Sequence, residues 1–142
     1  MKPFLINIII LISILSSCNS NNLGDNIYLL EGDRKEDRII VECTGKSFGE
    51  CIAGIYLIPR GYEQHIIKGN YSEFVDSFKA SNDYIIATTI NINSGIKSYW
   101  IIDKKKKRVH GAKDNIRSFI SGPLDFNSFS QERRRNEIDL NF

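Results

Sequence analysis

Short runs rich in β-branched residues, broken by polar turns, dominate the chain from Asn26 onward. Ile27-Tyr28-Leu29-Leu30 reads as one strand, followed by the charged turn Glu31 to Asp37. Ile39-Ile40-Val41-Glu42-Cys43 alternates, with Ile39, Val41 and Cys43 on one face. Ile52 to Ile58 is apolar on both faces, which predicts a central strand ended by Pro59-Arg60-Gly61. Gln64-His65-Ile66-Ile67-Lys68 reads as a strand, and Ser72 to Lys79 as a helical turn or irregular connection. Asp83 to Ile92 is a clear strand with Tyr84, Ile86, Thr88, Ile90 and Ile92 on one face. Asn93-Ser94-Gly95 is a turn signal, and Ile96 to Asp103 returns as the partner strand. A further run near Val109 follows across a basic turn.

The period then changes. Ile116, Phe119 and Ile120 share a helical face, and Gly122-Pro123 breaks that helix. Asp125 or Ser128 caps a second helix, the latter supported by Ser128-x-x-Gln131 as a capping box. Phe126 and Phe129 are expected to face inward, with Glu132 to Arg135 in water. The predicted fold is mainly β (α+β): a single antiparallel sheet or partly closed barrel of five to six strands, with carboxy-terminal helices.

The amino terminus carries a different pattern. Lys2 precedes a nearly unbroken apolar run from Phe4 to Leu15, then Leu15-Ser16-Ser17-Cys18. A membrane-spanning helix needs about 20 apolar residues and this run has only about 12, which fits a signal peptide. The tetrad has the order of a lipobox, in which the Cys18 thiol takes a diacylglyceryl group and cleavage makes Cys18 the first mature residue. The alternative is an ordinary secreted protein cut near Ser17. The expected organisation is a lipoprotein signal peptide over 1–17, the lipidated Cys18 with a polar, flexible tether over 18–26, and one globular domain over 27–142. Palmitate-type chains on Cys18 would hold the protein to membrane lipid, since each buried methylene contributes about 0.8 kcal/mol. The expected location is the cell envelope. Asn19 in place of Asp after the cysteine is compatible with the outer membrane in a Gram-negative cell.

Removing the signal leaves about 125 residues, enough for one core. The whole chain carries +2 and loses Lys2 with the signal, a balance that argues against a nucleic-acid partner. Of three cysteines, lipidation takes Cys18 and leaves Cys43 and Cys51 as an even pair in an oxidising compartment. A disulfide is expected between them, across a segment with two glycines. A metal site and two free thiols are the alternatives, although a seven-residue gap without a neighbouring His is poor zinc spacing.

Candidate chemistry is sparse. His65 and His110 lack the partners of a zinc hydrolase motif, and no nucleophile elbow or phosphate-binding glycine loop is present. No catalytic residue, metal or cofactor is therefore expected. Lys104-Lys105-Lys106-Lys107-Arg108 is the most conspicuous charge run and reads as a solvated hairpin tip. It is the candidate interaction surface, attractive to anionic lipid headgroups or an acidic protein. Trp100, Tyr99 and Tyr84 are expected to pack across strands.

Leu23-Gly24-Asp25, the pair Asp83-Tyr84-Ile85-Ile86-Ala87 with Tyr99-Trp100-Ile101-Ile102-Asp103, and Gly122-Pro123-Leu124 leading to Phe129 together resemble a family of small bacterial lipoproteins classified only as a domain of unknown function. The resemblance implies a strand, turn, Gly-Pro and amphipathic helix as the closing unit, and it brings no catalytic residues. The expected function is that of a membrane-anchored, non-enzymatic binding module whose partner is an envelope or toxin protein, as in a toxin-immunity lipoprotein. The alternative is a small envelope hydrolase using carboxylates.

Overall fold

The computed structural model describes residues 20–60, 72–110 and 118–142, with the side chains of Val109 and His110 excepted. The expected signal peptide, Cys18, the expected strand around His65 and the stretch containing Ile116 lie outside the described residues.

Among the described residues, eight strands form two four-stranded antiparallel sheets, each a simple meander. The first sheet holds β1 (Ser20–Gly24), β2 (Ile27–Leu30), β3 (Ile39–Ser47) and β4 (Glu50–Ile58). The second holds β5 (Glu73–Ala80), β6 (Tyr84–Asn91), β7 (Lys97–Asp103) and β8 (Ile120–Leu124). Helix α1 (Lys104–His110) follows β7 directly, and α2 (Phe126–Arg135) follows β8. The mainly β expectation holds, whereas the single sheet of five to six strands is replaced by two sheets, with no closed barrel among the described residues. The division arises because β4 and β5 do not pair, so the chain starts a second meander.

Alternation along the strands builds the core between the sheets. Leu23, Ile27, Leu29, Ile40, Leu57 and Ile58 from the first sheet meet Val75, Ile85, Ala87, Trp100, Ile102 and Ile120 from the second. Each of the larger aliphatic side chains contributes about 1.5–3 kcal/mol when fully buried. The Trp100 indole N–H donates to Thr89 Oγ1 at 2.8 Å, and the Thr89 hydroxyl in turn donates to Glu73 Oε1, so the ring is buried without an orphaned donor. The expected hairpin is present as β6–β7, paired without a slip from Tyr84 opposite Asp103 to Ile90 opposite Lys97.

The outer face of each sheet is also covered. On the second, Tyr84, Ile86 and Ile101 pack with Phe129 of α2 and with Ile138 beyond it. On the first, Tyr28, Ile39, Val41, Cys43 and Cys51 form a separate cluster. The distal half of the β3–β4 hairpin provides that cover. The β3–β4 register slips at Ile40/Val41, Cys43/Gly45 and Gly45/Lys46, and bulges of this kind bend and twist a hairpin. It folds back far enough for Lys46 to stand over the Tyr28 ring at 5.1 Å, and for the Cys51 amide to donate to Ser20 Oγ at 3.2 Å. Cys43 and Cys51 stand at disulfide distance across the bend, with Cα atoms 5.7 Å apart.

Several expectations are corrected. Ser20–Gly24 is a strand paired to β2, not part of a tether, because Leu23 enters the core and the backbone finds partners. Glu73–Ala80 is a strand, not a helical turn. The Ile52–Ile58 run lies in β4 at the sheet edge, not its centre, with Ile52 and Ala53 exposed. Ile120 and Gly122-Pro123 belong to edge strand β8, not to a helix and its break. An edge tolerates proline because the missing donor need not enter the ladder. A Cβ on Gly122, where φ is +140, would come within 2.5 Å of the Trp100 ring, so only glycine fits. Asp125 caps α2, accepting from the Ser128 amide at 2.9 Å. Phe129 is buried, but Phe126 in the first turn is 61% exposed, with its ring against Tyr99 at 5.6 Å.

Candidate functional site

The five basic residues form the first five positions of α1, not a hairpin tip. Asp103 ends β7 and accepts from the Lys106 amide at 3.0 Å, as an N-cap does. Lysine and arginine are good helix formers once a cap fixes the start. Asp103 ahead of four lysines was the available sequence signal; the run has no apolar period to reveal a helix.

Helical spacing divides the cations between two faces. Lys104, Lys107 and Arg108 share one face, on which Lys104 and Lys107 turn inward and Arg108 stays exposed at the rim. Lys104 is buried at 2% exposure, and its ammonium donates to the carbonyls of Leu23 and Ser81, the latter at 2.5 Å. Lys107 pairs with Glu42 at 2.9 Å and donates to the Asp25 carbonyl at 2.8 Å. Arg108 binds the Asp25 carboxylate through Nε at 3.0 Å and Nη2 at 2.9 Å, and reaches Asp83 at 3.3 Å. Lys105 and Lys106 turn outward. Lys105 lies over the Tyr84 ring at 4.8 Å, and Lys106 stands 3.7 Å from Asp103.

The cations of the first face join the β1–β2 turn, β3 and the β5–β6 turn around one end of the molecule. A polar cleft of about 450 Å³ opens there, lined by Asn22, Asp25, Ser81, Asn82, Lys104 and Arg108. A Cβ on Gly24, at φ +90, would meet the Lys104 ammonium at 2.8 Å, so the turn geometry and the lysine seat depend on each other. The Arg108 hydrogen bond holds the Asp25 carboxyl below its ordinary range, against the opposing effect of burial. Burial pushes the Lys104 ammonium down, while the charge of Asp25 acts the other way. The charges of this cleft therefore satisfy one another. The run as a whole is not the open basic surface expected: Lys105, Lys106 and Arg108 are exposed, and Arg108 is held by Asp25 and Asp83.

The carboxylate alternative makes a definite demand. A pair of catalytic carboxyls needs one member held protonated in a weakly solvated place. Asp25 and Asp83 share one guanidinium, and Asp25, Asp37, Asp76 and Asp125 are all displaced toward the ionised form. Among the described residues no three His, Cys, Asp or Glu side chains converge as a metal site would require. His65, the His110 side chain and Cys18 lie outside the described residues. Among those that are described, no helix is long and apolar enough to cross a membrane.

An aromatic cluster on the other side of the second sheet was not legible as a surface. The Tyr99 ring stacks on Phe129 at 5.0 Å, and Phe142 lies 5.9 Å from Phe129. Phe126 and Phe142 are 61% and 49% exposed, so this cluster emerges from the fold on the α2 side. No protein-family model, curated protein or solved structure matches the chain.

Proposed function

We propose that this chain is a lipid-anchored protein of the cell envelope that acts by binding another protein and not by catalysis. The observation that carries the reading is Leu15-Ser16-Ser17-Cys18 behind a charged and apolar leader, the order that directs acylation of the cysteine. The disulfide-distance pair Cys43 and Cys51 supports an oxidising compartment. Binding is favoured over carboxylate hydrolysis because the displaced carboxyls are stabilised as anions, the wrong direction for a general acid.

The contact surface in this reading is the emergent cluster of Tyr99, Phe126 and Phe142, with Arg134 beside Phe126. Aromatic residues with arginine are the composition that dominates protein interfaces. The outward Lys105 and Lys106 take the place of the full basic run as charges that steer an acidic partner. A toxin neutralised at the membrane is the specific partner class. The likeness to the lipoprotein family of unknown function remains part of this proposal.

The experiment is metabolic labelling of cells with a fatty-acid analogue. Wild-type protein takes the label, and Cys18→Ala loses it and accumulates uncut. In the same cells, a photoreactive phenylalanine analogue placed at position 142 should cross-link to a discrete envelope protein. Phe126→Ser should abolish that product while leaving the acyl label intact. An unchanged cross-link would overturn the contact surface.

A further inference from the structure

Covalent reach ties the amino-terminal anchor to one part of the surface. Ser20 opens β1, and its hydroxyl accepts from the Cys51 amide at 3.2 Å. Cys18 is two residues earlier in the sequence, and two extended residues span about 7 Å at most. Acyl chains on Cys18 would therefore enter a bilayer beside the folded-back end of the β3–β4 hairpin.

That end has an unusual tip. Ser47 pairs with Glu50, leaving Phe48-Gly49 as a two-residue turn with φ of 51 and 85. Positive φ at both positions is the hairpin-favoured geometry in which Asn-Gly is the common sequence. A bulky residue in that conformation is sterically costly, so turn formation does not account for phenylalanine. Core packing does not account for it either, because Phe48 is 105% exposed. Ile52, adjacent to Cys51, is 66% exposed. Alternation points it away from the cluster that Cys51 joins. The Cys43–Cys51 link lies directly behind, where it stiffens the hairpin that carries both side chains.

We infer that Phe48 and Ile52 enter the interfacial layer of the same leaflet that holds the Cys18 acyl chains. The inference rests on the anchoring reading of the previous subsection. Aromatic side chains favour the headgroup boundary, where an apolar ring leaves water without crossing the bilayer. With an acyl anchor alone the domain swivels on its attachment. A second, stiff contact fixes its orientation and turns the opposite parts of the surface away from the membrane. A bilayer is the occupant because the chain itself brings the tip to it; a second protein copy has no such tie.

The test uses the full chain carrying Phe48→Trp, purified as the lipoprotein and reconstituted in vesicles of phosphatidylethanolamine and phosphatidylglycerol. Trp100 is 1% exposed and supplies a constant background measured on the wild type. Emission from the introduced tryptophan should shift to the blue and lose most of its intensity when the vesicle lipids carry brominated chains. Mass analysis of the amino-terminal peptide reports acylation in the same sample. Acylated protein whose added emission stays water-like and unquenched overturns this inference and leaves the anchor standing. A chain without acyl groups overturns both. A blue shift that follows protein concentration but ignores brominated lipid assigns the tip to a second copy and overturns the inference. If Phe48→Trp fails to fold, Ile52→Trp in the same assay gives the same expected and contrary results.

Discussion

The β3–β4 and β6–β7 hairpins are made of similar β-branched residues yet serve opposite ends. In β6–β7 the ladder runs without a slip, both faces are buried, and Trp100 with Ile85 and Ile102 joins the core between the sheets. In β3–β4 the register slips three times, the distal half folds back over Tyr28, and the tip leaves Phe48 uncovered by the fold. Regular alternation produces a strand pair that stabilises the fold. Bulges redirect a pair, and here they bring a braced tip next to the amino-terminal strand.

Breaking the regular hairpin should have the largest effect. Trp100→Ala removes a fully buried ring and leaves the Thr89 hydroxyl facing a cavity, so it should cost about 3–5 kcal/mol in denaturant unfolding. Opening the irregular hairpin should cost less. Cys43→Ser with Cys51→Ser should lower stability by roughly 2–3 kcal/mol in the chain-entropy model. It should also make Tyr28 more accessible to chemical modification, since the folded-back half supplies its cover. Equal accessibility in both proteins would show that the bulges alone hold the bend.

The comparison sharpens on α1, where one run contains both kinds of position. Lys104→Met leaves the Leu23 and Ser81 carbonyls without their donor and should cost about 1–3 kcal/mol, read as a lowered denaturation midpoint. The double change Lys105→Glu and Lys106→Glu alters exposed positions and should stay within about ±0.5 kcal/mol. A loss of stability as large as that of Lys104→Met would contradict the division into inward and outward cations.

What was legible in the sequence follows the same physics. A short apolar run revealed β2, and alternation revealed β3 and the β6–β7 hairpin. Strand β5 was hidden because a bulge between Val75 and Ser77 resets its alternation, leaving Phe74, Val75 and Phe78 at a spacing that imitates a helical face. Strand β1 was hidden by its polar Ser-Asn-Asn composition; pairing with β2 and the insertion of Leu23 make it a strand. At the cleft, the basic run was visible but its use was not. Lys104 meets Leu23, and Arg108 meets Asp25, across more than 80 residues of sequence, and spacing carries no trace of such contacts.

The proposed acylation of Cys18 would give the irregular hairpin its setting, and one measurement addresses it directly. Mass analysis of the amino-terminal peptide from membrane-extracted protein should find Cys18 as the first residue, bearing a diacylglyceryl group. A first residue other than Cys18, or a Cys18 thiol without lipid, would contradict the account.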